Sequence, residues 1–120
     1  MSAFTAHLHD VFRTFGAVEL RRMFGGHGVY HQGLMFALVV DDTLYLKADA
    51  LNRGFFEREQ LPRFTYRRSG RTASIGYHRA PDTMLEDAAA ARAWARRSFE
   101  AALRAQAARR KTPARRRTPS

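Results

Sequence analysis

The residues of this chain that most invite a chemical role are the glycines in the run Gly25-Gly26-His27-Gly28. Glycines let backbone amides approach an anion closely, and nucleotide-binding loops use them in this way. The run matches neither of the common phosphate-loop motifs, and the residues after it have no helical pattern. Glycine in a strand more often marks a bulge, a bend or a close approach of two backbones. We therefore predict a structural role, with a small-molecule-binding or enzymatic site at residues 25–28 as the less favoured alternative.

The five histidines do not have the spacing of a metal site. His7 and His9 lie two residues apart on a predicted helix and point in different directions. His27 and His31 lie four apart, but in a strand and a turn, and no carboxylate completes a ligand set. No serine has the context of a nucleophile elbow, and the absence of cysteine excludes disulfides and thiolate catalysis. The prediction is a non-enzymatic protein without metal, cofactor or catalytic residues.

Positive charge is concentrated at the C-terminal end of the chain. There are 21 Lys and Arg residues against 11 Asp and Glu, a formal net charge of +10. Seven basic residues and no acidic one follow from Arg104 onward, so the preceding 103 residues carry only +3. Such a run can neutralise phosphates without sequence preference, although charge runs are also commonly only solvated. The candidate nucleic-acid-binding residues are Arg109, Arg110, Lys111, Arg115, Arg116 and Arg117. This patch would be larger if five further arginines lay on the same side of the protein, namely Arg67, Arg68, Arg71, Arg21 and Arg22.

Length and composition indicate one globular domain. A chain of 120 residues with 45% hydrophobic residues can build a single core. No apolar run approaches the roughly 20 residues that a membrane-spanning helix needs. The first residues lack the basic start and apolar core of a signal peptide. We expect a cytoplasmic protein that does not engage a membrane.

Hydrophobic periodicity places these residues on helices and strands. Apolar residues at three- and four-residue steps predict a helix over residues 2–15. Three apolar runs separated by turns, at residues 22–30, 34–40 and 44–47, predict an antiparallel meander. The middle run is apolar throughout, which is typical of a central strand, and in the third run Tyr45 and Lys47 should face outward.

The second half of the chain predicts a helix, a hairpin and a longer helix. Asp49 is the candidate N-cap of a short helix over residues 50–59. Residues 64–79 alternate around a Ser-Gly turn and predict a β-hairpin. An alanine-rich helix is expected over residues 88–108, and residues 109–120 should be disordered. The resulting fold class is α+β, an antiparallel sheet with packed helices in the order α-β(3)-α-β(2)-α.

The meander contains the motifs Arg22-Met23-Phe24-Gly25-Gly26-x-Gly28-Val29-Tyr30, Gly33-x-Met35-Phe36-Ala37-Leu38-Val39 and Leu44-Tyr45-Leu46-Lys47-Ala48-Asp49. With these motifs, it resembles the N-terminal domain of the TfoX/Sxy competence regulators. The resemblance covers residues 1–103 and continues through Phe64-Thr65-Tyr66, Tyr77 and Trp94, although His27 stands where an aromatic is usual. The residues of the family motif, expected to be structural, are Met23, Phe24, Gly25, Gly26, Gly28, Tyr30, Met35, Phe36, Tyr45 and Lys47.

The resemblance implies a fold like that of secretion-chaperone-type domains and no catalytic activity or cofactor. It also implies a role in regulating genes for DNA uptake, in which full-length family members act as co-activators with the cyclic-AMP receptor protein. Residues 104–120 are expected to be the end of the last helix and a basic tail, in place of the second, helical domain of the family. We therefore predict a regulatory adaptor that binds a protein partner, with the transcription machinery as the candidate. The tail is expected to add weak, non-specific contact with nucleic acid. A sequence-independent nucleic-acid-binding module is the alternative, and an exposed aromatic sheet face would favour a homodimer.

Overall fold

A computed structural model describes residues 3–23 and 25–111, with helices and strands in a mixed order. The helices are α1 (Ala3–Val11), α2 (Arg53–Arg58) and α3 (Ala88–Lys111), and a short 3-10 helix lies at Asp82–Leu85. The strands are β1 (Glu19–Met23), β2 (Gly26–His31), β3 (Leu34–Val40), β4 (Thr43–Lys47), β5 (Arg63–Arg68) and β6 (Arg71–Arg79). No helix within these described ranges is both long and apolar enough to cross a membrane.

All six strands form one antiparallel sheet in the order β1-β2-β3-β4-β6-β5. The predicted α+β class is confirmed, and β3 is central, as its apolar sequence indicated. The expected order has one strand too few, because the run over residues 22–30 is a hairpin of β1 and β2 rather than a single strand. Gly25 permits the turn with a φ of +82°, a conformation that other residues rarely adopt.

The helices pack on one face of the sheet, and a β-bulge shapes that face. Val29 pairs with Ala37 and Tyr30 pairs with Met35, so that Phe36 is an extra residue in β3. Phe36 and Ala37 are both fully buried in the core cluster. The Phe36 ring lies 5.4 Å from the Phe12 ring, just after α1, and 6.2 Å from the Phe99 ring of α3, measured between centroids. The bulge thus turns two successive side chains toward the helices.

The short helix α2 completes this helical layer over β6. Phe56 stacks on His78 at 4.9 Å and lies 5.2 Å from the Trp94 ring of α3. The imidazole Nδ1 of His78 lies 2.8 Å from the Leu61 carbonyl oxygen. His78 is therefore a buried, hydrogen-bonded residue of the core.

A polar latch joins the β4–α2 turn to α3. Arg104 donates two hydrogen bonds to Asp49, from Nε at 2.7 Å and from Nη2 at 2.9 Å. Asp49 also accepts the backbone N–H groups of Leu51 and Asn52. Asn52 is the N-cap of α2, and its side chain donates to the Lys47 and Arg97 carbonyl oxygens. The prediction that Asp49 caps α2 is wrong, because its carboxylate closes the preceding turn instead.

The hydrogen bonds from Arg104 hold the pKa of Asp49 below its usual value. Partial burial of the carboxylate opposes this shift, while the N–H groups of Asn52 and Leu51 reinforce it. The same pairing raises the pKa of Arg104. Both groups are therefore charged at neutral pH, and their pairing fixes α3 against the sheet.

The outer helices differ from the predicted bounds at their ends. α1 ends at Val11 and is followed by turns over residues 12–15. Gly16 then has an extended backbone with a φ of +158°. α3 continues to Lys111, so the first three residues of the expected disordered segment are helical. The remainder of that segment lies outside the described residues.

Candidate binding surface

The sheet face that points away from the helices is the main candidate site, and we call it the open sheet face. Directly paired residues of antiparallel strands share a face. The register pairs Arg21 with Gly28, Gly28 with Leu38, Leu38 with Tyr45, and Tyr45 with Arg79. Five strands therefore contribute one row across the sheet, with an arginine at each end and smaller or apolar residues between them.

Aromatic residues cover the β4, β5 and β6 side of the open sheet face. The rings of Tyr45 and Phe64 meet edge to face at 4.8 Å, and Phe64 stacks on Tyr66 at 6.1 Å. These three rings are half-buried. Tyr77 lies on the same face and is only 6% exposed, although the helices pack on the other side. Neighbouring side chains, including Lys47, therefore cover Tyr77, and the half-buried rings of Tyr45, Phe64 and Tyr66 provide the accessible aromatic surface.

Burial also changes the acidity of Tyr77. Desolvation raises the pKa of its phenol above the usual range, and the nearby Tyr30 adds to the same shift. Tyr77 therefore stays protonated and neutral across the physiological range. A buried, neutral phenol is a hydrogen-bond donor on this surface rather than a catalytic base.

On the open sheet face, the side chains of Met23 and Met35 fill the space above Gly28. A Cβ placed there would lie 2.9 Å from the sulfur atoms of both Met23 and Met35, and 3.0 Å from the Tyr30 ring. Glycine is thus needed for the two methionines to converge. Methionine side chains are flexible and polarisable, and they are common on surfaces that adapt to apolar partners. Leu38 forms the adjacent position in the row and is 4% exposed.

Cations surround this apolar centre. The Arg21 guanidinium lies 4.2 Å from the Tyr30 ring centroid, and Lys47 Nζ lies 5.3 Å from that of Tyr77. Arg21 also contacts Glu19 at 3.2 Å. Burial lowers the pKa of Lys47, and the neighbouring charge of Arg109 lowers it further, while Asp49 acts in the opposite direction. The last turn of α3 thus adds its charge to one end of the open sheet face.

The family-motif residues fall into two structural groups. Phe36 lies in the core, whereas Met23, Gly28, Tyr30, Met35, Tyr45 and Lys47 lie on the open sheet face. Gly26 serves close packing, since a Cβ there would overlap the Val39 carbonyl oxygen. Gly25 forms the turn, and Phe24 lies outside the described residues.

The residue 25–28 region forms an open depression at the β1–β2 turn. It encloses about 320 Å³ and is lined by Arg22, Met23, Gly25, Gly26 and His27. Within residues 3–23 and 25–111, no three His, Asp or Glu side chains converge as metal ligands would. His31 lies elsewhere, with Nδ1 2.7 Å from the Ala17 carbonyl oxygen and its ring between Phe15 and Phe99.

The basic candidate residues do not all meet in one patch. Arg109 and Arg110 lie exposed on the last turn of α3, and the Lys111 backbone is helical. Arg115, Arg116 and Arg117 lie outside the described residues. Arg21 belongs to edge strand β1, whereas Arg67 and Arg71 belong to the hairpin at the other edge of the sheet. Arg22 pairs with His27 and points to the face opposite that of Arg21.

The sequence did not reveal the aromatic cluster of Tyr45, Phe64 and Tyr66. Alternation along each strand indicates which side chains share a face, and Tyr45 was correctly expected to point outward. The contact with Phe64 depends on the order of β4, β6 and β5 in the sheet, which alternation does not give. The paired aromatics at positions 64 and 66 were the available signal.

A family model described as the TfoX N-terminal domain matches residues 10–102. The chain belongs to this family. The TfoX N-terminal match spans the whole six-stranded sheet, including the open sheet face, and ends before the Asp49 partner Arg104.

Two curated proteins are similar to this TfoX N-terminal chain. Protein Sxy of Escherichia coli is 25% identical over 100 residues, which cover 83% of this chain and 48% of Sxy. The DNA transformation protein TfoX1 of Aliivibrio fischeri is 32% identical over 76 residues, which cover 60% of this chain and 36% of TfoX1. The chain therefore spans about half the length of these relatives or less.

Proposed function

We propose that this TfoX N-terminal domain is a non-enzymatic regulatory adaptor with a competence-regulator-like role in the cytoplasm. It acts by holding a protein partner, drawn from the transcription machinery, on the open sheet face. The observation that carries this proposal is the apolar, aromatic surface opposite the helical layer. Contiguous apolar surface rimmed by polar residues is typical of protein interaction sites.

The chemistry of the open sheet face supports binding rather than catalysis. Its polar groups include guanidinium groups, one ammonium, phenols and the Glu19 carboxylate, which are spread over several strands. Tyr77 is held neutral by the burial that raises its pKa. Aromatic and arginine side chains are the residue types that contribute most energy to protein interfaces. Family membership supports the regulatory role, since one relative is named a DNA transformation protein.

The test compares a variant of the open sheet face with a matched variant on the helical side. Tyr45→Ser with Phe64→Ser removes two half-buried rings, and Leu51→Ser removes a 72% exposed apolar side chain elsewhere. Tagged proteins are incubated with nuclease-treated cell extract, and retained proteins are identified and then retested with purified RNA polymerase and cyclic-AMP receptor protein. We expect wild type and Leu51→Ser to retain the same protein partner, and the double variant to lose it. Equal retention by all three proteins, or retention of none, would contradict the proposal.

A second candidate function is sequence-independent nucleic-acid contact by the basic end of the chain. The observation that favours it is the position of Arg109 and Arg110, exposed on the last turn of α3 with Arg109 close enough to Lys47 to lower its pKa. Phosphates would bind these helical cations together with the basic residues that follow them.

The structure sets the design of the nucleic-acid experiment. A chain that ends at Leu103 would lack Arg104 and its hydrogen bonds to Asp49, so truncation there would also weaken the fold. Replacing the six candidate residues 109–111 and 115–117 by glutamine removes the charge and keeps Arg104. Anisotropy of a labelled generic duplex should show salt-sensitive binding by wild type, with a log–log slope of up to about −5 for six phosphate contacts. Unchanged binding by the glutamine variant would exclude the basic end as the contact.

A further inference from the structure

We propose that the open sheet face takes an acidic amphipathic helix of the partner protein, with its apolar side on Met23, Met35 and Tyr45 and its carboxylates on Arg21 and Arg79. This inference rests on the proposed function, because it names the chemistry of the partner at the same site. Three features of the face carry it: the length of the row across the strands, the apolar centre, and the charge at the rim.

The length of the row fits a short helix. Arg21 and Arg79 end a row that crosses five strands, β1, β2, β3, β4 and β6. Adjacent strands lie about 4.8 Å apart, so the row spans roughly 19 Å. A helix rises about 1.5 Å per residue, so roughly 13 residues cover this distance. Carboxylates near both ends of such a helix would reach the two arginines.

The apolar centre suits side chains rather than nucleic-acid bases. The middle of the row consists of Gly28, Leu38 and Tyr45, and Met23 and Met35 cover Gly28. A leucine or phenylalanine of a partner helix can pack over the half-buried side chains of Met23 and Met35. Bases instead bind on exposed aromatic rings at successive positions. On the open sheet face, Arg21 lies over the Tyr30 ring and Lys47 lies over the Tyr77 ring, so cations already occupy these ring faces, which favours a peptide partner.

The charge at the rim selects an anionic partner. The row and its neighbours carry three cations, Arg21, Lys47 and Arg79. Within the described residues, Arg21 pairs with Glu19 at 3.2 Å and Arg79 pairs with Asp82 at 3.7 Å. Both ion pairs are solvent-exposed, and such pairs add little to the stability of a protein. The arginines can therefore exchange these contacts for carboxylates of a partner. A second copy of this face would instead bring like charges together.

The experiment uses a synthetic helical peptide of about 14 residues, with leucine at positions i, i+3, i+4 and i+7 and glutamate beside these leucines in the first and last turns. A second peptide carries lysine in place of every glutamate. Fluorescence anisotropy measures both peptides against wild type and the charge-reversal variant Arg21→Glu with Arg79→Glu. The matched control is Arg92→Glu with Arg96→Glu, two exposed positions on α3.

We expect wild type and the α3 control to bind the glutamate peptide and to bind the lysine peptide more weakly. Charge reversal at Arg21 and Arg79 should lower the affinity for the glutamate peptide by roughly tenfold or more. The variant should then bind the lysine peptide more tightly than the glutamate peptide. Circular dichroism of each variant shows whether the fold is retained. Equal affinity for both peptides, or no effect of the reversal at Arg21 and Arg79, would overturn the inference.

Three further readouts separate this inference from its competitors. Displacement of the glutamate peptide by a twelve-residue polythymidine strand at lower concentration than unlabelled peptide would assign the face to nucleic acid. Sedimentation that shows a dimer lost on Tyr45→Ser with Phe64→Ser would assign it to a second copy. If the partner in the extract is lost with Tyr45→Ser and Phe64→Ser but kept by Arg21→Glu with Arg79→Glu, the adaptor function holds and the acidic helix is wrong.

Discussion

The latch between Asp49 and Arg104 should stabilise the fold measurably. Asp49→Ala removes four hydrogen bonds, two from Arg104 and two from backbone N–H groups of the β4–α2 turn. The backbone pair is comparable to a helix cap and contributes about 1 kcal/mol. The side chains of Arg104 and Asp49 are 37% and 29% exposed, so solvent limits the ion pair to about 1 kcal/mol more.

We therefore expect Asp49→Ala to lower the free energy of unfolding by about 2 kcal/mol and the Tm by roughly 6–12 °C. Urea denaturation followed by circular dichroism measures the change at neutral pH. The matched control is Asp10→Ala, which removes an exposed carboxylate 3.7 Å from Arg13 and should change stability by less than about 0.5 kcal/mol. An Asp49→Ala loss no larger than that of Asp10→Ala would refute the latch.

The latch also gives a pH dependence with a definite sign. The hydrogen bonds from Arg104 hold the pKa of folded Asp49 below that of the unfolded chain, which is about 3.9. Its contribution is present above that unfolded value and is lost as pH falls through the lower, folded pKa. The stability difference between wild type and Asp49→Ala should stay constant from pH 7 to 5 and shrink below about pH 4. A difference that does not shrink in acid would show that the charge of Asp49 is irrelevant.

Gly26→Ala should destabilise the sheet because its Cβ would overlap the Val39 carbonyl oxygen. Gly54→Ala in α2 should instead raise the free energy of unfolding by up to about 1 kcal/mol, because a Cβ there meets no atom within 4 Å. Thermal unfolding of the two variants tests this contrast, and a similar Tm for both would contradict it. Burial raises the pKa of Tyr77, so its contribution to stability is present below the unfolded value of about 10 and is lost as pH rises toward the folded value. Wild type should lose stability relative to Tyr77→Phe above about pH 10 in urea denaturation, and a constant difference would show that the phenol is not desolvated. Phe36→Ala should cost about 3–5 kcal/mol because the ring is fully buried, and a loss below about 1 kcal/mol would show that the core collapses around the cavity.

The sequence predicts the fold class well because the strand patterns are local. Alternation in β4 places Leu44 and Leu46 inward and Tyr45 and Lys47 outward, as found. The extra hairpin was missed because residues 22–30 read as one continuous run. Its turn depends on a left-handed conformation at Gly25, and glycine is equally compatible with an extended strand.

The open sheet face could not be predicted from the sequence, because it depends on register and strand order. The bulge at Phe36 reverses which β3 residues face the helices, so Phe36 and Ala37 lie inside while Leu38 lies on the open side. A one-residue shift changes the face of every later side chain in a strand. The row from Arg21 to Arg79 joins residues 58 positions apart only through four separate strand pairings.

Photo-crosslinking in cells tests most directly whether the open sheet face holds the partner. A benzoyl-phenylalanine residue replaces Tyr45 on the open sheet face in one variant and Leu51 on the helical side in the other. Both positions accept an aromatic group, since Tyr45 is half-buried beside Phe64 and Leu51 is 72% exposed. We expect irradiation to crosslink one protein partner at position 45 and none at position 51. Crosslinks at position 51 with none at position 45 would contradict the proposed binding face.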